Sequence, residues 1–252
     1  VKTVALDAGP TLIPNAAAAA KLITPRTRAI ALVSPNNPAG VQYPAATLQA
    51  FHDLCQRHKI ALIVDETYRD FDSRTGAPHT LFENPDWADT LIQLYSFSKA
   101  YRLTGHRVGA IIASASRLAE VEKFLDTVTI CPNQIGQRAA LWGMQNMGAW
   151  LAEQRLEILD RRAAITDGFP ALAARGWTLK GCGAYFAYLQ HPFDTPSNDL
   201  APQLVRSAGI LTLPGTMFMP SDVAGGAQHL RIAFANIDRT GVGELINRLS
   251  KL

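Results

Sequence analysis

Three apolar runs stop at polar clusters, and the residue types in those clusters set the chemistry open to this chain. Arg28–Val33 runs into Ser34-Pro35-Asn36-Asn37-Pro38-Ala39-Gly40, Ile60–Val64 into Asp65-Glu66-Thr67-Tyr68, and Thr90–Tyr95 into Ser96-Phe97-Ser98-Lys99. An unprotonated amine attacks carbonyl carbon. A carboxylate or phenol nearby can take up or steer a proton. A lysine standing alone is nearly always a solvated surface group, so its setting matters more than its type. Other chemistries lack their residues. Gly181-Cys182-Gly183 has neither the third glycine nor the following helix of a dinucleotide loop, and there is no Walker A, HExxH or GxSxG sequence. His52 and His58 share a helical stretch without acidic or cysteine partners, so no metal site is expected.

The elements that must position these residues follow from the hydrophobic pattern. Short apolar runs bounded by turn residues read as buried strands; Arg107–Ala113 is a fourth. Pro44 opens a helix with Leu48, Phe51, Leu54 and Cys55 on one stripe. Continuous apolar strands alternating with helices imply an α/β fold whose mainly parallel sheet is covered by helices on both faces. Ligands in such sheets bind beyond the carboxyl ends of the strands, where the three polar clusters fall.

After Arg117 the texture changes. Leu118, Val121, Phe124, Leu125 and Val128 make a helical stripe, followed by helices over Gln134–Met147 and Leu151–Ala174. Beyond come a strand or hairpin over Trp177–Gln190, a helix over Asn198–Ser207, strands over Gly209–Leu213 and Leu230–Ala235, and a closing helix from Arg239. A domain change is expected near residue 155, with a smaller α+β unit after it.

Composition excludes several function classes. The chain has 252 residues, enough for a sizeable core, and 24 Lys and Arg against 21 Asp and Glu leave a net charge of only +3. That scattered excess is no footprint for nucleic acid. No apolar stretch approaches the roughly 20 residues of a membrane-spanning helix, so no membrane partner is expected. Three distant cysteines, Cys55, Cys131 and Cys182, do not make a disulfide scaffold. They fit a reducing compartment, and a cytoplasmic location is expected.

The most informative segment is Ser96-Phe-Ser-Lys99-Ala-Tyr-Arg-Leu-Thr-Gly105-His-Arg107-Val-Gly109. It resembles the SxSKxxxxxGxRxG lysine motif of the class I/II (fold type I) pyridoxal-phosphate-dependent aminotransferases. Six specified positions at roughly 5–8% usage each match by chance about once in ~10⁷ windows. Asn37-Pro38-Ala39-Gly40 resembles the family's NPxG turn, and Asp65-Glu66-Thr67-Tyr68 its D-x-x-Y strand end. Leu230-Arg231-Ile232-Ala233-Phe234, preceded by Pro214-Gly215-x-x-Phe218, is similar to its C-terminal arginine strand. All occur in the family's order.

The resemblance implies transamination between an amino acid and a 2-oxo acid, with pyridoxal 5'-phosphate held by Lys99 as a Schiff base. It implies that Lys99 then shuttles the substrate's Cα proton and that Asp65 pairs with the ring nitrogen. Tyr68 and Asn37 would hydrogen-bond the phenolic oxygen, Thr67 would lie against the ring, and Arg107, Ser96 and Ser98 would hold the phosphate. Arg231 is implied as the grip on the substrate's α-carboxylate, with Asn37 beside it. The family pattern further implies that residues 1–155 are the remainder of a large cofactor-binding domain and 156–252 a small C-terminal domain. A homodimer is implied as well. The match covers only about the later two-thirds of a usual family chain, lacking the N-terminal arm and phosphate loop. Weak or absent turnover by the 252 residues alone is therefore expected. The same residue positions also serve β-lyases and decarboxylases of this fold, and aminotransferase-like domains that only sense ligands.

Overall fold

The computed structural model describes residues 2–220 and 225–252. The chain divides into two compact units, one of residues 14–35 and 43–155, the other of residues 1–13, 36–42 and 156–252. In the first unit a short helix α1 (Ala16–Ala20) precedes β1 (Ala29–Val33), α2 (Ala45–His58) and β2 (Ala61–Asp65). A single turn, α3 (Trp87–Thr90), leads into β3 (Leu91–Ser96), then β4 (Gly109–Ile112), α4 (Ala115–Val128) and α5 (Gln134–Asn146).

The sheet order is β1-β2-β3-β4. The first two pairings are parallel, with Val33 opposite Asp65 and Asp65 opposite Leu94; β4 runs antiparallel to β3, with Gly109 opposite Ser96. Parallel register carries three carboxyl ends to one edge of the sheet, because each crossover, through α2 or through the shorter turns before β3, returns the chain to the opposite edge. Pro44 caps α2, and Lys59 ends it in the left-handed conformation with its N–H on the Cys55 and Gln56 carbonyls. The predicted stripe of Leu48, Phe51, Leu54 and Cys55 is buried. Against it lie fully buried Leu62 and Val64. Each such leucine contributes roughly 2 kcal/mol by leaving water.

The second unit is reached through α6 (Gly148–Ala173), followed by β5 (Thr178–Gly183), β6 (Phe186–Gln190) and α7 (Ser197–Ala208). Then come β7 (Leu213–Pro214), β8 (His229–Ala233) and α8 (Arg239–Leu249). Its sheet, β5-β6-β8-β7, is antiparallel throughout. Phe234, Leu189, Leu204, Leu230 and Leu249 form the core.

Two expectations need correction, and one expected helix forms without cover. The sheet of the first unit is not uniformly covered: β2 is mostly buried, whereas Ala29 and Ala31 of β1 and Gly109 and Ile111 of β4 are exposed. An apolar run reports the pairing propensity of an edge strand as readily as burial on both faces. The helix expected from the Leu118–Val128 stripe is present as α4, and it buries no residue at all, with Phe124 65% exposed. The strand expected over Gly209–Leu213 shrinks to Leu213–Pro214. Gly209, at φ +62°, ends α7, and the Ile210 N–H bonds back to the Leu204 carbonyl, so this stretch is committed to a helix cap.

Candidate active site

In the β1–β4 unit, Asp65 ends β2 half-buried, and its Oδ1 accepts from both the Thr67 N–H (2.9 Å) and the Thr67 hydroxyl (2.6 Å). This turn holds the carboxylate in one orientation, with Oδ2 accepting nothing from the described residues. Thr67, implied as a wall against a ring, thus also braces Asp65. Tyr68 is buried at the head of a 3₁₀ turn over Arg69–Phe71.

The loop after β3 is tied down by its own bonds. Ser96 Oγ accepts from the Ser98 N–H (3.2 Å), and the Phe97 N–H donates to the Val108 carbonyl (3.2 Å). The Leu103 N–H reaches back to the Phe97 carbonyl (3.2 Å), and the Thr104 hydroxyl donates to the Ser98 carbonyl (3.0 Å). The last glycine of the motif is needed for close approach, since a Cβ on Gly109 would lie 2.8 Å from the Tyr95 carbonyl oxygen.

Arg102 and Arg107 both adopt left-handed backbone, at φ +56° and +53°. Each such residue costs on the order of 1–2 kcal/mol. At Arg107 the turn folds the side chain back over the loop, where Nη1 donates to the Thr104 carbonyl (3.0 Å) and lies 3.5 Å from Ser98 Oγ. A guanidinium beside a hydroxyl is a cradle for an anion such as phosphate. Half-buried Lys99 stands in this loop with its carbonyl accepting from the Arg102 N–H (3.3 Å), while its amine has no ion pair or hydrogen bond to any described residue. Exposed Arg102 instead lies over the Trp150 ring, 5.3 Å from its centroid, and bonds Gln154.

A buried polar cluster behind Asp65 went unread in the sequence. Glu66 is 1% exposed; it accepts from the Gln93 amide and from Arg69 Nη1 (3.3 Å). His79 Nδ1 accepts from the Leu81 N–H (3.2 Å), leaving the proton of a neutral ring on Nε2, 3.2 Å from Glu66 Oε1. That approach is off-line for a hydrogen bond, so the contact is electrostatic. Burial of a polar side chain is settled by its distant neighbours, and Glu66 carries no local signal beyond following Asp65. Near it, Tyr95 donates to Asp70 (2.6 Å), and burial with that carboxylate raises the Tyr95 pKa far above the ordinary range for a phenol.

The β5–β8 unit holds the other two candidates, Arg231 and Asn37, together. Arg231 pairs with Tyr188 and Leu213 in the middle of the sheet. Its guanidinium lies between the rings of Phe186 and Phe218, 4.6 and 4.7 Å from their centroids, and Nη1 donates to Asn37 Oδ1 (2.8 Å). Phe218 was visible at its spacing from Pro214-Gly215. Phe186 had no such signal and is found only through β6–β8 register.

The family model for "Aminotransferase class I and II" matches residues 1–249. An arginine–pyruvate transaminase of Pseudomonas aeruginosa is 32% identical over 219 residues, which are 84% of this chain and 53% of that protein. An aspartate aminotransferase of Sulfolobus acidocaldarius is 23% identical over 91% of this chain and 57% of its own length. Among solved structures, the N-succinyldiaminopimelate aminotransferase of Mycobacterium tuberculosis superposes with a TM-score of 0.82 at 26% identity, over 95% of this chain and 62% of that one. The chain thus spans about half the length of the curated relatives it matches, and its fold is that of the fold type I aminotransferases. Strand ends, lysine loop and arginine strand all lie within the matched residues, and the chain belongs to the class I and II aminotransferase family.

Proposed function

We propose that this protein transfers an amino group between an amino acid and a 2-oxo acid, using pyridoxal 5'-phosphate bound through Lys99. The carrying observation is the half-buried Lys99 amine, without a partner among the described residues, in a loop whose Arg107 and Ser98 lie 3.5 Å apart. The donor set fits the cofactor: an amine for its aldehyde, a guanidinium and hydroxyls for its phosphate, and a braced carboxylate for its ring nitrogen. When bound, the cofactor supplies an electron sink for the pair left at the substrate's Cα.

Arg107, Ser96 and Ser98 bind the phosphate, and Asp65, oriented by Thr67, keeps a proton on the ring nitrogen. A carboxylate about 4 Å from such a cation contributes ~4 kcal/mol at an effective dielectric of 20. Tyr68 donates a hydrogen bond to the phenolic oxygen. Lys99 would hold the cofactor's aldehyde, and its free amine would carry the proton at the substrate's Cα. Arg231 holds the substrate's carboxylate with its planar fork, its orientation set by Asn37 and two flanking rings.

We infer a homodimer, supported by apolar side chains left in water on α4 and α5, among them Phe124, Ile135 and Trp142 at 65%, 73% and 60% exposure. A cytoplasmic location is supported by free Cys55, Cys131 and Cys182. No helix among the described residues is long and apolar enough to cross a membrane.

Borohydride reduction with pyridoxal 5'-phosphate, followed by peptide mapping, tests the reading. Label confined to Lys99 and absent from Lys99→Ala is expected. Equal labelling of surface lysines would overturn it.

A further inference from the structure

The Gly181-Cys182-Gly183 end of β5, which is no dinucleotide loop, has a different use in the β5–β8 unit. The turn carrying Asn37 is closed by its own bonds, the Asn36 N–H to the Val41 carbonyl and the Gly40 N–H to the Asn36 carbonyl, both 2.8 Å. That turn lies backbone to backbone on the end of β5. A Cβ on Gly183 would sit 2.2 Å from the Gly40 carbonyl oxygen, and one on Gly181 would sit 2.4 Å from the Ala39 carbonyl oxygen. From the other side, a Cβ on Gly40 would meet Gly183 N at 2.4 Å and Phe186 O at 2.8 Å, and Gly40 is at φ +71°.

Main chain cannot yield to such contacts as a flexible side chain can, so any substituent displaces the whole Asn37 turn. The same hairpin presents the Phe186 ring to one face of Arg231. One structural piece therefore seats both the ring beside the guanidinium and the turn whose amide binds it. A bulge between Leu179 and Gly181 shifts the β5–β6 register just before the seat. Such bulges re-aim neighbouring groups.

We propose that Gly181 and Gly183 are positioning residues for carboxylate recognition: they seat the Asn37 turn so that Asn37 and Arg231 form a preset pair. This rests on the reading of Arg231 as the carboxylate grip. Neither glycine touches substrate; each acts through the 2.8 Å bond between Asn37 and Arg231. Displacement of a binding group by about 1 Å is enough to cost one to two orders of magnitude.

The test uses the full protein loaded with cofactor and propionate as probe, a carboxylate without an amino group to react. Its Kd is measured by calorimetric titration beside KM, kcat and thermal melting. Gly181→Ala and Gly183→Ala are expected to raise the propionate Kd about tenfold, with KM following and kcat moving less than about twofold. Gly243→Ala, where a Cβ meets nothing within 4 Å, leaves Kd unchanged. Arg231→Lys also weakens propionate, and adding Gly183→Ala to it brings little further loss, because both changes break one unit.

Folded glycine variants with wild-type Kd, beside a weakened Arg231→Lys, overturn the proposal and leave the carboxylate reading standing. An unchanged Kd in Arg231→Lys overturns that reading itself. Should both glycine variants lose cooperative melting, Asn37→Ala decides. It removes the amide without disturbing the seat, and wild-type affinity there overturns the proposal.

Discussion

The two units hold their functional groups by opposite means. In the β1–β4 unit the groups stand at strand ends and are held by short-range bonds: Thr67 on Asp65, Ser96 on the Ser98 N–H, Thr104 on the Ser98 carbonyl. In the β5–β8 unit Arg231 stands mid-strand and is held by partners far away in the chain, Asn37, Phe186 and Phe218. Cover differs between α4 and α8 as well: α4 buries nothing, unlike α2 of the same unit, whereas α8 buries Val242, Leu245, Ile246 and Leu249. Local bonding keeps a group adjustable, which suits the displaceable lysine proposed for Lys99. Packing keeps it rigid, which suits the carboxylate grip proposed for Arg231.

The sharpest way to break this comparison is a pair of identical substitutions. Phe234→Ala, in a fully buried site of the β5–β8 unit, is expected to cost about 3–5 kcal/mol in denaturant unfolding. Phe124→Ala, 65% exposed on α4, should stay within about 0.5 kcal/mol. A loss above about 1 kcal/mol at Phe124 would show that its face is covered in solution, and the contrast in cover would go.

Next in size, Glu66→Ala leaves Arg69, His79 and Gln93 facing a void. It is expected to cost about 3 kcal/mol, because breaking a buried charged cluster strands its partners. Were the loss no larger than that of an exposed carboxylate, the β1–β4 unit would depend on local bonds alone.

A smaller effect is expected of Thr67→Val, about 1 kcal/mol from the lost hydroxyl bond to Asp65. Its readout is a weakened titration of pyridoxal 5'-phosphate, with the melting temperature nearly unchanged.

The smallest effect is one of pH. Burial lowers the pKa of His191 and of His229, so the folded β5–β8 unit takes up protons at lower pH than the unfolded chain. Stability is then whole above the ordinary histidine pKa of about 6.5 and declines as pH falls below it. His191→Gln should flatten part of that decline in melts between about pH 7 and pH 5. Unchanged curvature would exclude His191 as its source.

Much of the fold was legible because the signals are local. The strands at Ala29–Val33, Ala61–Asp65 and Leu91–Ser96 differ by a residue or so from their apolar runs, and Pro44 does start α2. The hairpin of β5 and β6 lies inside Trp177–Gln190. What failed was each inference that needed knowledge of the far side of an element. The α4 stripe has correct helical spacing, yet spacing states only that one face is apolar, not that anything lies on it. The Gly209 stretch has the apolar residues of a strand, yet its glycine closes a helix.

The candidate site divides along the same line. Side-chain types, order and spacing name Lys99, Asp65 and Arg107, because a strand end and its loop are contiguous in the chain. Sequence by itself determined the family, the run of strands and helices, and the placing of reactive groups at strand ends. Only the tertiary structure decided that Glu66 is buried in a polar cluster and that Arg231 lies between two rings. It alone set the Asn37 turn on two glycines. The reason is physical: propensity and periodicity act over a few residues, whereas burial, stacking and close backbone approach depend on atoms brought together from distant parts of the chain.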